Sequence, residues 1–188
     1  MRRASFAPLV LVAALALGAC GSGSSKANST PTSVLKLSSP SYEKAKPTPS
    51  TSAKMICETE VRGEIAQALA VTETRVASAW SKPRHLFSCT YFYPRGQIVL
   101  SVKEMSSERE TTAYFDAVRK KFGTKNSIPG VGQGAWLLKN DDVVARKDYK
   151  VLLVNVQGIP TDFVHGRLNR AGVATGIAGT IMVCWTGA

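Results

Sequence analysis

Four cysteines (Cys20, Cys57, Cys89 and Cys184) and two histidines (His85 and His165) hold most of the nucleophilic and metal-ligating potential of this 188-residue chain. His85 and Cys89 are four positions apart. On a strand that spacing separates them along the chain, and no second ligand pair accompanies them, so no metal site is expected. A thiol nucleophile at Cys184 would need exposure and an activating base. Cys184 falls on the apolar face of a predicted helix, which argues for burial. The adjacent carboxylates Asp141 and Asp142 suit a hairpin turn better than acid–base catalysis. The run Gly130-Val131-Gly132-Gln133-Gly134 has the glycine density of a phosphate loop, but a dinucleotide fingerprint follows a strand and opens a helix. Here a helix precedes and a strand follows, which predicts a structural turn. No acid, base and nucleophile converge, so no catalytic residue and no cofactor is expected.

Aromatic side chains offer a second kind of chemistry, stacking on a sugar or a base. Phe87, Tyr91 and Tyr93 alternate onto one face of a predicted strand, with Phe92 on the other. Trp80 and Trp136 sit at strand edges. Core packing beneath a helix is the favoured reading of the strand aromatics; Trp80, Tyr91, Tyr93 and Trp136 are the candidate ligand cleft if one is present. Arg119, Lys120, Lys121 and Lys125 form a basic cluster where a helix C-terminus favours positive charge.

The elements that must position these groups follow from hydrophobic periodicity. Val61, Ile65, Ala68 and Leu69 predict a helix over 58–70. Strands are predicted over 75–80, 86–93 and 97–103, the last two joined by Pro94-Arg95-Gly96 as a hairpin. Ser107 caps a second helix, with Glu108 and Glu110 in its first turn and Gly123 at its end. Three further strands are predicted over 135–139, 143–147 and 149–157, then a last helix over 168–184. The order α-βββ-α-βββ-α with short connections predicts an α+β domain, an antiparallel sheet flanked by helices.

Composition divides the chain into three. Arg2 and Arg3 precede an apolar run from Phe6 to Leu17, too short to span a bilayer comfortably. Leu17-Gly18-Ala19-Cys20 then fits a bacterial lipoprotein box. Residues 1–19 are expected to be a signal peptide, with Cys20 as the lipid attachment site. Residues 20–54, rich in Ser, Thr and Pro, are expected to be a tether without a stable element. A single domain is expected over 55–188. The formal charge of +11, from 24 basic and 13 acidic residues, divides accordingly. The tether carries Lys26, Lys36, Lys44, Lys46 and Lys54 against Glu43, and the domain 17 basic against 12 acidic residues. A basic leash is drawn to anionic lipid head groups. Export also argues against a nucleic-acid partner and for a disulfide. Three pairings of Cys57, Cys89 and Cys184 are possible. Cys57–Cys89 is preferred to Cys57–Cys184, leaving Cys184 as a buried thiol.

The lipoprotein box, the tether, the cysteine before the first helix, Cys89-Thr90-Tyr91 on an aromatic strand and the Gly-x-Gly-x-x-Ala run at 130–135 together resemble small secreted lipoproteins of actinobacteria whose domain has no assigned function. The resemblance covers roughly residues 57–185 and implies a PsbP-like α/β/α fold. Gln133-Gly134 stands where an acidic pair is common in such proteins. These readings converge on an extracytoplasmic protein anchored to the cell membrane through Cys20. The expected function is a non-catalytic binding or scaffolding module of the envelope, with a lipid, a glycan or an envelope protein as ligand. An accessory subunit of an envelope enzyme or transporter is the alternative, and an enzyme with an unrecognised site a more distant one.

Overall fold

Residues 86–93 alternate large apolar with smaller side chains, and the computed structural model, which describes residues 44–164 and 168–185, turns that alternation into a two-faced strand. Phe87, Cys89, Tyr91 and Tyr93 are buried, while Leu86, Ser88, Thr90 and Phe92 are half-buried. This strand, β2 (Leu86–Tyr93), pairs antiparallel with β1 (Arg75–Ser81) and, across the turn at Pro94-Arg95, with β3 (Gly96–Glu104). Gly96 has φ of 131°, and a Cβ there would lie 2.0 Å from the Gly158 carbonyl oxygen, so only glycine fits.

The expected α+β class, an antiparallel sheet with flanking helices, is what the structure shows. The remaining strands are β4 (Thr124–Ser127), β5 (Gly134–Leu138), β6 (Val143–Lys147) and β7 (Lys150–Asn155). Their order in the single seven-stranded sheet is β1-β2-β3-β7-β6-β5-β4, antiparallel throughout.

Helices lie on both faces. On one side α1 (Thr51–Met55), α2 (Thr59–Leu69) and α4 (Arg170–Cys184) enclose the larger core, which includes Ile56, Ile65, Tyr91, Leu100, Leu152 and Ile177. On the other side α3 (Glu108–Phe122) sets Phe115 and Val118 on Leu138, Val144 and Val151 of β5, β6 and β7. Ser107 caps α3: its Oγ accepts from Glu110 N at 3.3 Å, and Glu110 Oε2 reaches back to accept from Ser106 N, the residue before the cap, at 2.9 Å. Gly123, with φ of 67°, ends it.

Three expectations are corrected. First, order begins before residue 55. The expected tether ends in a strap over residues 45–50, whose Ala45 N–H donates to Met105 O at 2.9 Å and whose Ser50 N–H donates to Glu104 Oε1 at 3.2 Å. Lys46 and Pro47 carbonyls meet His85 Nδ1 at 2.9 Å and Trp80 Nε1–H at 3.1 Å. Ser50 then caps α1 through Ala53 N. These partners are distant in sequence, which is why composition alone placed the segment in the tether. Second, β4 occupies residues expected to be loop. It is a polar edge strand with a register shift between Thr124 and Asn126. Third, the last helix starts at Arg170, where Asn169 Oδ1 accepts from Gly172 N at 2.8 Å. The expected signal peptide, residues 1–19, together with Cys20 and His165, lies outside the described residues.

Candidate functional site

The four aromatic residues named as a candidate cleft do not converge, and for the two tyrosines the favoured reading, core packing, is what the structure shows. Tyr91 and Tyr93 are core residues beneath the helices, 1% and 6% exposed. Trp80 is on the same face at the sheet edge, held by the strap and by an edge-on contact with His85 at 6.1 Å. Trp136 is on the opposite face under α3, with the Arg119 guanidinium 4.2 Å above its ring. Alternation identified which residues share a strand face, but it carries no information about which helix covers that face.

The two tyrosines differ in one testable respect. Tyr91 O–H donates to the Ile56 carbonyl at 2.6 Å, whereas the Tyr93 hydroxyl is buried with no hydrogen-bond partner among the described residues. Burial pushes both phenols well above their ordinary pKa. Tyr91→Phe should cost about 1 kcal/mol in urea unfolding, because it orphans a buried carbonyl. Tyr93→Phe should be neutral or slightly stabilising. Equal losses in the two variants would contradict this assignment. Because burial raises both folded-state pKa values, the two phenols leave stability independent of pH below their unfolded pKa near 10, and the fold loses stability as the pH climbs beyond it.

The remaining candidates have structural explanations. Cys57 and Cys89 are at disulfide distance, with Cα atoms 5.7 Å apart, in the preferred pairing. Cys184 is buried, and its thiol donates to Glu64 Oε2 at 2.9 Å, a contact between α4 and α2. In the glycine run, Gly132 has φ of 58° and packs against the Arg146 carbonyl. Beside it the Gln133 side chain bonds the Asp148 backbone N–H at 2.9 Å, bracing the turn between β6 and β7. The basic cluster is divided: Arg119 pairs with Asp116 at 3.0 Å, and Lys125 is bonded to Asp141. Among the described residues, no cluster of three or more His, Cys, Asp or Glu side chains is placed to hold a metal ion.

What the sequence reading missed is a surface. α3 covers only the β5–β6–β7 half of its sheet face. Among the described residues no helix overlies the other half, where Ala77, Ala79 and Ser81 of β1, Ser88 and Thr90 of β2, and Val99 and Ser101 of β3 point outward. The strip is about 20 Å long at the usual rise per residue. Most of its side chains are small or hydroxylated, with Val99 among them and Leu86 and Phe92 at the ends of β2 on the same face; Ser88 and Ser101 meet across the strands at 3.2 Å.

At one end a 3₁₀ turn, Lys82–Arg84, borders an open groove of about 510 Å³ lined by Ala79, Ser81, Leu86 and Ser88 among others. Arg84 Nε donates to Ser81 Oγ at 3.0 Å, and Lys103 Nζ donates to the Arg84 carbonyl. Burial lowers the Lys103 pKa against the opposing pull of Glu110. Tyr114 of α3, 37% exposed, lies within electrostatic reach of Arg84. At the far end the Arg75 guanidinium lies 3.8 Å over the Phe92 ring. The signal for this surface was present in the pattern. β2 and β3 alternate apolar with polar, as one-sided strands do, whereas Val143-Val144-Ala145 and residues 150–154 are nearly continuous, as strands buried on both faces are.

Fold and surface define an α+β domain with helices on both faces of one sheet and, among the described residues, no helix over half of one face. Neither family models nor curated proteins nor solved structures gave a match to this chain.

Proposed function

We propose that the chain is a non-catalytic binding module, held at the outer face of the cell membrane by a lipid on Cys20, whose open half-sheet takes an anionic glycan of the envelope. The observation that carries the reading is that strip of Ala, Ser, Thr and Val side chains, without a covering helix among the described residues, with Lys82, Arg84 and Lys103 at one end. A flat floor of hydroxyls offers hydrogen bonds to a polar, extended ligand, and its cations supply attraction for carboxylates or phosphates. Among the described residues no helix is long and apolar enough to cross a membrane, so in this reading the N-terminal lipid supplies the anchor. The resemblance to small actinobacterial lipoproteins supports the same address.

The test is binding of the full chain to polygalacturonate, with neutral dextran as the control. The expected result is binding to the acidic polymer alone, weakened by about tenfold in the exposed-site variant Lys82→Glu/Arg84→Glu, equivalent to about 1.4 kcal/mol. Equal binding to both polymers, or no effect of the charge reversal, would sink the proposal. Cys20→Ser should separately move the protein from the membrane fraction to the soluble one.

A further inference from the structure

The edge of a sheet presents unpaired backbone N–H and C=O groups, and proteins usually blunt it with short strands, charges or bulges. One edge of this sheet is blunted in all three ways. β4 has four residues, shifts register between Thr124 and Asn126, and carries Lys125, which is tied to Asp141. The other edge has none of these protections. β1 runs for seven residues in unbroken register with β2, from Arg75–Phe92 to Ser81–Leu86, and contains no proline. Its one charge, Arg75, is folded back over Phe92 rather than outward. Ser78 and Ala79 are exposed, and among the described residues no group outside the sheet bonds to the backbone N–H or C=O of residues 76–80.

We propose that β1 pairs with β1 of a second copy of this chain, antiparallel about a twofold axis through Ser78. The strand's own chemistry selects that partner. Reading Arg75-Val76-Ala77-Ser78-Ala79-Trp80-Ser81 outward from its centre gives Ala with Ala, then Val with Trp, then Arg with Ser. A twofold pairing sets Val76 of each copy against Trp80 of the other, the aromatic–β-branched combination that stabilises cross-strand pairs. Ala77 meets Ala79, so the backbones approach without obstruction. Each Arg75 meets Ser81 and never the other Arg75, so like charges are kept apart. Trp80 is already fixed by its bond to the Pro47 carbonyl, which reduces the ordering cost of association.

Self-complementarity of one patch is what an isologous dimer requires, and a foreign strand would have no reason to match it. Directly opposite residues share a sheet face, so the two open half-faces would join into one continuous strip. A seven-residue edge buries less than a standard interface, so the association is weak in solution and favoured by confinement to a membrane.

Sedimentation velocity on the full chain carrying Cys20→Ser, over a concentration series into the high-micromolar range, tests the pairing. The wild-type edge should carry the mass from one chain toward two. Ser78→Glu and Ser78→Lys each place like charges face to face on the axis and should stay at one chain. Their equimolar mixture should restore the two-chain species. Near-ultraviolet circular dichroism checks that both variants keep the native fold, as the exposure of Ser78 leads us to expect. A wild-type edge that stays at one chain throughout would overturn the proposal and leave the edge to another protein's strand. Single variants that associate as the wild type does would place the contact elsewhere. A mixture that stays at one chain would rule out pairing about Ser78.

Discussion

Replacing Asp142 with alanine should remove about 3–5 kcal/mol of stability, the largest loss expected from any single side chain outside the hydrophobic core. Asp142 is completely buried, immediately before the first residue of β6. Its Oδ1 accepts from Val156 N at 2.9 Å and Gln157 Nε2 at 3.0 Å, and its Oδ2 from Asn140 Nδ2 at 2.7 Å and Asn155 Nδ2 at 3.3 Å. The carboxylate thus ties the β5–β6 turn to the end of β7, a junction that the Gln157 side chain also closes by donating to the Asn140 carbonyl. Alanine would leave those donors facing an apolar void. Asp142→Asn keeps the shape but turns one acceptor into a donor facing donors, so it should recover only a fraction of the loss. Thermal unfolding is the measurement, and the alanine variant should melt roughly 10 °C lower. A shift of only a degree or two would mean that the network is not what holds this corner.

The second large effect is expected from the bridge. Cys57–Cys89 spans 32 positions, and opening a loop of that length releases roughly 3–4 kcal/mol of chain entropy into the unfolded state. The bridge also fixes the start of α2 to the middle of β2, since Cys89 is fully buried and Cys57 lies just before the helix. Cys57→Ala/Cys89→Ala should therefore lower the melting temperature about as much as a reductant lowers that of the wild-type protein. The double variant should itself no longer respond to reductant. Cys184→Ala tests specificity: it lies outside the bridge and should leave the reductant response of the wild-type protein intact. A reductant response that survived in the Cys57/Cys89 variant would refute the assignment.

Local signals made most of the elements legible. Ser107 and Gly123 mark the ends of α3, the alternation over 86–93 and 97–103 marks the central hairpin, and Asn140-Asp141-Asp142 marks a turn in which Asp141 takes φ of 69°. What was not legible is what distant residues decide. β7 sits beside β3, so a strand from the second half of the chain completes the middle of the sheet. The strap is ordered by Glu104, Trp80, His85 and Met105, none of them near in sequence, while its own prolines and serines suggest an unstructured leash. β4 has no apolar residue to announce it. The candidate cleft failed for the same reason: facing residues are fixed by alternation, but the covering helices are fixed by topology. Asp142 was correctly placed in a turn, yet nothing local shows that the turn is a buried hub.

The strap and the bridge together also determine how the domain would respond to a pull. Tension entering along residue 44 first loads the hydrogen bonds of residues 45–50, which can break in succession. The chain then lengthens by about 40 Å at most before it draws on Cys57. There the covalent link diverts the load into β2 at Cys89, between Ser78 of β1 and Leu100 of β3. Residues 58–88, which hold α2 and β1, lie inside the closed loop and carry none of it. The N-terminal end is thus a yielding segment in series with a hard stop, and the elements beyond the stop are mechanically shielded.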